Sequence, residues 1–422
     1  MTPRFAWLAL SAVFVFAGCH DSVQLLDSDT PVVADCEVCT DDVGCSTVPD
    51  GTACMDGMCE TGECTDTPTG TALLSIAAGE HNTCAIAASG ELFCWGDNIR
   101  GQVGVGNADP QPLPIMVDVG PWSSIAVGQY HACGLKSDGS LWCWGGNARG
   151  QLGLGVPGDQ QVPQRVVSPA LQWSAIATGA KHACALAADA RLYCWGRGTE
   201  GQLGLGDGVD SDVPVEVSVG SEVLRSIELG RNFTCAIDSR GSLSCWGENN
   251  IGQLGVGDLA NRLSPTLLDV GGAVDAVVAG GEHTCALLTS GDTVCFGRNT
   301  DGQLGIDDAD NDHHETPQTL TYELAFDAVG LGQRHSCGLE GGGLWCWGRG
   351  DFGQLGLGDT GRKRSPRKVD AADDWISVVG GQLHTCALRS DGSVYCWGSN
   401  ASGQLGLGVD PGERSLPTRV DL

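Results

Sequence analysis

From residue 73 onward, short apolar runs alternate with Gly- and Asp-rich turns, and no apolar spacing follows the helical period. Trp375-Ile376-Ser377-Val378-Val379 is one such run. Runs of this length between turn residues predict short β-strands. The pattern recurs along the chain. Cys-Trp-Gly stands at Cys94-Trp95-Gly96, Cys143-Trp144-Gly145, Cys194-Trp195-Gly196, Cys245-Trp246-Gly247, Cys346-Trp347-Gly348 and Cys396-Trp397-Gly398, with Cys295-Phe296-Gly297 as a variant. Successive copies lie 49, 51, 51, 50, 51 and 50 residues apart, and residues 73–422 number 350, seven times 50. Such a period means a solenoid, a propeller or an array. Four strands per unit and seven units describe an all-β fold, a seven-bladed β-propeller.

The columns of the repeat carry separate expectations. Gly-Gln-Leu-Gly follows each Cys-Trp-Gly, with Val103 for Leu in the first copy. Its Gln is present seven times, from Gln102 to Gln404. A Gly-rich loop has bare amides to satisfy, and a buried Gln serves both donors and acceptors. Asn98, Asn147, Asn249, Asn299 and Asn400 share a column with Gly198 and Gly350, which predicts a left-handed turn position. A His column (His131, His182, His283, His335, His384) is interrupted by Asn82 and Phe233. His beside Cys suggests zinc or a thiol nucleophile. Its repetition around the ring and its replacement by Phe point instead to a packed structural side chain.

A second Cys precedes each Cys-Trp-Gly by ten residues, or nine for Cys337–Cys346. A turn such as Ser137-Asp138-Gly139 lies between them. This places the two Cys opposite each other on adjacent antiparallel strands, within reach of a disulfide. The expected pairs are Cys84–Cys94, Cys133–Cys143, Cys184–Cys194, Cys235–Cys245, Cys285–Cys295, Cys337–Cys346 and Cys386–Cys396. A Pro-x-x-Val/Leu strand precedes six copies, from Pro114–Val117 to Pro366–Val369. None precedes the first copy, but Pro417-Thr418-Arg419-Val420 ends the chain. The expectation is that residues 416–422 close the ring by completing the blade of residues 73–96.

The first 72 residues are different. Residues 1–18 read as a lipoprotein signal peptide: Arg4, an apolar run from Phe5 to Phe16, then Ala17-Gly18-Cys19. That junction resembles the bacterial lipobox, which implies lipid on Cys19 and an outer-membrane destination in the cell envelope. Residues 19–72 read as an acidic, Cys-rich stalk. Positions 20–72 hold 12 Asp or Glu, no Lys or Arg, and Cys36, Cys39, Cys45, Cys54, Cys59 and Cys64. Too few large apolar residues are present for a packed core, so disulfide staples are expected, with zinc at Cys36-x-x-Cys39 as the rival. Fourteen blade Cys, six stalk Cys and Cys19 account for all 21.

Composition narrows the function. With 23 Lys and Arg against 52 Asp and Glu, the formal charge is −29, which argues against a nucleic-acid partner. No Ser/His/Asp or paired-carboxylate constellation rises above the repeat, so no catalytic residue, metal site or cofactor is expected.

The motifs His-x-Cys-Ala-Leu, Asp-Gly-Ser-Val-Tyr-Cys-Trp-Gly and Gly-Gln-Leu-Gly-Leu-Gly, as written near Cys386 to Gly408, resemble the repeat of the regulator of chromosome condensation family. The resemblance covers residues 73–422. It implies a propeller whose surfaces grip proteins. The eukaryotic founder is an exchange factor for a small GTPase and binds chromatin, and a bacterial relative inhibits β-lactamase. The expected function is a lipid-anchored, monomeric envelope module that binds an unknown protein without catalysis. Guanine-nucleotide exchange and a propeller lyase or glycan hydrolase are the alternatives. Two loops at equivalent points of successive blades are the candidate partner site: 307–315, with Asp308, Asp310 and Asp312 alternating as in a calcium loop, and 362–368, with Arg362, Lys363 and Arg364.

Overall fold

The computed structural model describes residues 37–38, 46–47, 58–60, 63–65 and 71–422, except 168–171, 221–222, 307–309, 321, 323 and 411. The signal segment, Cys19, Cys36, Cys39, Cys45, Cys54 and Asp308 lie outside the described residues. The chain divides into two units, Met1–Thr67 and Pro68–Leu422. In the first, Glu37–Val38 pairs with Ser46–Thr47, and Met58–Glu60 with Glu63–Thr65, setting Cys59 opposite Cys64.

The second unit is a seven-bladed propeller of four-stranded antiparallel sheets. Blade 1 comprises Leu73–Ala78, Asn82–Ala87, Leu92–Gly96 and Gln111–Asp118. Blade 7 comprises Trp375–Gly380, His384–Arg389, Val394–Gly398 and Arg414–Val420. Each blade is a meander whose strands neighbour in chain order. The loops after the first and third strands therefore share one face of the disk.

Each second strand is buried along nearly its whole length, as in Asn82–Ala87, because both sheet faces are covered by neighbouring blades. The core consequently sits in the seams. One cluster joins Leu73, Ile76 and Trp95 of blade 1 to Leu388, Val394, Leu405 and Val420 of blade 7. The Trp of every Cys-Trp-Gly is fully buried. Its Gly is required by the backbone. Gly96 has φ of 108°, and a Cβ there would lie 2.5 Å from the His81 carbonyl oxygen.

The paired Cys face each other in register, and seven disulfides form, each with Cα atoms 4.0–4.1 Å apart. That spacing suits a non-hydrogen-bonded antiparallel pair. The nine-residue copy stays in register through a two-residue turn, Gly341-Gly342, with φ of 57° and 83°.

Two expectations are corrected. The Asn column does not adopt left-handed backbone: among the described residues, Ala190 is the one non-glycine residue with positive φ. Each Asn side chain instead staples its loop. Asn98 Oδ1 accepts the Val103 N–H at 2.9 Å, while Nδ2 donates to the Asn107 carbonyl at 3.0 Å. The C-terminal strand does not complete the first blade. Arg414–Val420 pairs with Val394–Gly398 of its own sheet, and the fourth strand of blade 1 is Gln111–Asp118. Every Pro-containing strand belongs to the blade before it. The ring closes by face packing, with the same bonds found at the other seams: Trp95 Nε1 donates to the Gln404 carbonyl at 3.0 Å, and Gly408 N–H to Pro112 O at 2.9 Å.

Candidate functional site

The strongest polar architecture lies at the seams. The Trp Nε1 of a blade donates to the backbone carbonyl of the preceding blade's Gln at 2.9–3.0 Å, for Trp95, Trp144, Trp195, Trp246, Trp347 and Trp397. The Gln side chain holds its own loop open, as where Gln102 Oε1 accepts the Arg100 N–H at 2.9 Å. The same carbonyl also takes a hydroxyl: Thr83 to Gln404 O at 3.0 Å, Thr234 to Gln202 O at 2.9 Å, Ser336 to Gln303 O at 2.7 Å and Thr385 to Gln354 O at 2.8 Å. Each of those hydroxyls has spent its proton, so it accepts from the Nε2–H of the preceding blade's His. The distances are 3.0 Å from His384 to Thr83, 3.1 Å from His182 to Thr234, 2.8 Å from His283 to Ser336 and 2.8 Å from His335 to Thr385.

Sequence reasoning found the His column and missed its partner, the residue between His and Cys. Three seams lack the latch, two of them for want of the hydroxyl. Ala132 stands where a hydroxyl would meet Asn82, and Ala183 where one would meet His131. The amide of Asn82 and both ring nitrogens of His131 are buried without a partner. At the seam of blades 4 and 5, Phe233 replaces His and Phe296 replaces Trp.

Burial sets the chemistry of these rings. It lowers His131 and His335 to about 4, with Arg349 adding to it at His335. His182, His283 and His384 are lowered to about 3, first by burial and then by neighbouring histidines. All five are neutral, and His182, His283, His335 and His384 are structural donors. Glu228 shifts the other way. It sits in a column of Ala77, Ala126, Ala177, Val278, Gly330 and Val379, and burial raises its carboxyl to about 7.

The first strands surround an axial channel lined at its mouth by Glu80, Gln129, Ala180, Arg231, Gln333 and Gln382. Gln129 Nε2 donates to Glu80 at 2.8 Å, and Arg231 reaches the same carboxylate from blade 4 at 3.7 Å. Further out, Glu282 binds Arg298 at 3.0 Å and Arg334 at 3.1 Å.

The two candidate loops are largely tied into the fold. Asp310 accepts the Asp312 N–H at 2.9 Å with one oxygen and contacts His314 Nε2 at 3.0 Å with the other. Arg362 crosses the seam to Asp301 at 2.9 Å and to the Thr300 carbonyl at 2.9 Å. Lys363 pairs with Asp359 of its own loop at 2.8 Å. Arg364 makes no hydrogen bond or ion pair among the described residues. Arg362 is thus a seam contact, because its guanidinium reaches an Asp301 side chain only 9% exposed. No group of three or more His, Cys, Asp or Glu placed to hold a metal occurs among the described residues.

The RCC1-like domain matches residues 51–323, and the regulator of chromosome condensation (RCC1) repeat matches residues 341–388 and 391–422. The Ultraviolet-B receptor UVR8 of Arabidopsis thaliana is 32% identical over 307 residues, 72% of this chain and 59% of that protein. The X-linked retinitis pigmentosa GTPase regulator of Canis lupus familiaris is 42% identical over 199 residues, 46% of this chain and 20% of that protein. The chain therefore spans less than two thirds of the length of either relative. Among solved structures, Prp20p of Saccharomyces cerevisiae has a TM-score of 0.71 at 22% identity, covering 80% of this chain and 87% of that one. Human WBSCR16 has a TM-score of 0.72 at 21% identity, covering 79% and 94%. These structures share the propeller fold. With matches running from the first blade to the last, and with the blade motif repeated seven times, the chain belongs to the RCC1-like domain family.

Proposed function

We propose that this protein is an exported, lipid-anchored propeller that binds another protein at the cell envelope and performs no catalysis. The observation that carries the reading is the disulfide in every blade. Thiol pairs of this number persist in oxidising compartments and are reduced in the cytosol. An exported binder also needs a rigid platform, and the seam bonds supply one. The Ala17-Gly18-Cys19 junction supplies the anchor, with lipid on Cys19. Mass spectrometry of the mature N-terminus, with membrane fractionation, tests the anchor. Cleavage elsewhere or an unmodified Cys19 overturns it. Retention of envelope proteins on the immobilised full chain tests the binding, and saturable binding at fixed stoichiometry is expected. Turnover of a glycan, or accelerated nucleotide release from a GTPase, overturns the binding-only reading.

A further inference from the structure

The seven loops that join first to second strands meet at the axis and line one cavity of about 110 Å³, room for about four waters. Each loop begins with a Gly, and these backbones touch around the ring. A Cβ on Gly128 would stand 2.5 Å from the Gly179 carbonyl oxygen, and one on Gly179 would stand 2.5 Å from that of Gly230. Hydrogen bonds also run from blade to blade: Ala180 N–H to Arg231 O at 3.0 Å, Gly281 N–H to Gly332 O at 3.1 Å and Gln333 N–H to Gly381 O at 3.1 Å. This collar fixes the residue after each Gly before any ligand arrives, which lowers the cost of binding.

That residue differs from blade to blade, and its polar members are largely unspent. One Glu80 oxygen accepts Gln129 Nε2 at 2.8 Å. The other faces Arg231 Nε at 3.7 Å, beyond hydrogen-bond distance. Glu80 belongs to blade 1 and Arg231 to blade 4, so their contact spans the axis. The guanidinium of Arg231 and the carboxamides of Gln333 and Gln382 make no hydrogen bond among the described residues. Ala180 and Gly281 leave the remaining arc of the mouth open.

Among the described residues, Glu80 and Arg231 are the only ionisable groups lining the cavity, and their charges cancel. What remains is a mixed set of donors and acceptors: guanidinium N–H groups, two carboxamides and the free oxygens of Glu80 and Gln129. A carboxylate would leave the acceptors unmatched, and an ammonium would leave the donors unmatched. Adjacent hydroxyls on a sugar ring each donate one bond and accept others, so they satisfy both. Lys181, one residue further out, has no ion pair among the described residues, which makes an anion the main rival.

We propose that the axial mouth binds the terminal sugar residue of a glycan, with two adjacent hydroxyls joining the Glu80–Arg231 pair to the carboxamides of Gln333 and Gln382. This goes beyond the protein-binding function proposed above and does not depend on it.

The test titrates the full chain with the methyl glycosides of glucose, galactose, mannose and N-acetylglucosamine, followed by saturation-transfer NMR. Cyclohexanol, glutarate and butylammonium are the controls for ring shape, anion and cation. At least one glycoside should bind saturably, and cyclohexanol should not. Gln333→Ala with Gln382→Ala should weaken that binding about tenfold, the worth of two hydrogen bonds. Glu80→Gln should lose the sugar and take up glutarate, and Arg231→Gln should lose it and take up butylammonium. A merely structural role for this pair would not exchange one ligand for another. Unchanged melting curves exclude misfolding, and should the Ala pair fail to fold, the two charge variants carry the test. Saturation by no glycoside overturns the proposal. So does tighter binding of glutarate or butylammonium than of any glycoside to the wild type, or undiminished sugar binding by Arg231→Gln.

Discussion

Ala183→Thr should stabilise the ring, because it supplies the hydroxyl missing from the seam of blades 2 and 3. The column already carries Thr83, Thr234, Thr284 and Thr385 in the same strand position, so the backbone accommodates the side chain. In the latched seams the hydroxyl lies 2.8–3.1 Å from the His nitrogen and 2.7–3.0 Å from the Gln carbonyl. At Ala183 the Gln151 carbonyl accepts Trp195 Nε1 at 3.0 Å, while neither nitrogen of His131 has a partner. The substitution adds two buried hydrogen bonds of about 1 kcal/mol each and relieves one unsatisfied ring nitrogen. Fixing the new side chain offsets part of that, leaving a gain of about 1–2 kcal/mol. Over some 350 residues this moves the melting temperature by only about 1–3 °C. Equilibrium urea unfolding of the oxidised protein is therefore the sharper assay. Ala183→Val is the control, having the same shape without the hydroxyl. Ala183→Thr should exceed it by at least about 1 kcal/mol at unchanged m, and the His131 Nε2–H should appear as an exchange-protected NMR signal. Equal stability of the two variants would refute the latch as an energetic unit.

The five buried histidines are held at about 3–4, below their ordinary 6.5. Unfolding then takes up protons below pH 6.5, so stability should fall as pH drops from 6.5 toward 4. His131→Phe, the residue found at position 233, should remove one proton from that slope. Glu228 is raised to about 7 from 4.5, so its burial costs nothing below pH 4.5 and an increasing amount up to pH 7. Glu228→Gln should match wild type at pH 4 and exceed it at pH 8 by about 1–3 kcal/mol, the range allowing for its remaining contact with solvent; no pH-dependent difference would contradict the burial. Reversing Arg362 to Glu should lower stability by about 1–2 kcal/mol, since it sets a carboxylate against Asp301. An unchanged unfolding midpoint would return Arg362 to the free surface. Replacing Cys84 and Cys94 together by Ser should cost about 2–3 kcal/mol in the chain-entropy model, read by urea unfolding. Deleting residues 414–422 should expose the edge of Val394–Gly398 and strip Val420 from the seam, which sedimentation would register as aggregation.

What the sequence determined by itself was the hairpin pattern within one repeat. The 50-residue period, the short strands between Gly turns and the Cys pairs ten residues apart lie within a single hairpin. The turn between two Cys settles which strands adjoin and hence which sulfurs meet. The Gln could be read as a buried loop support for the same reason. Ownership of the Pro-containing strand could not be read, because it stands between two Cys-Trp-Gly copies and spacing alone favours neither. The Asn column misled because Asn tolerates left-handed backbone yet also staples loops, and only the loop's closed path selects between these. The His column had no visible partner in the sequence. His335 and Thr385 are 50 residues apart, and His384 and Thr83 are 301 apart. The same holds for Arg362, which looks like one member of a basic loop until the seam brings Asp301 beneath it. Tertiary structure decided these relations because a blade is stabilised within itself by short hairpins, whereas the ring is held by contacts between blades. Those contacts depend on the curvature that brings seven sheets face to face, and no stretch of sequence encodes that separately.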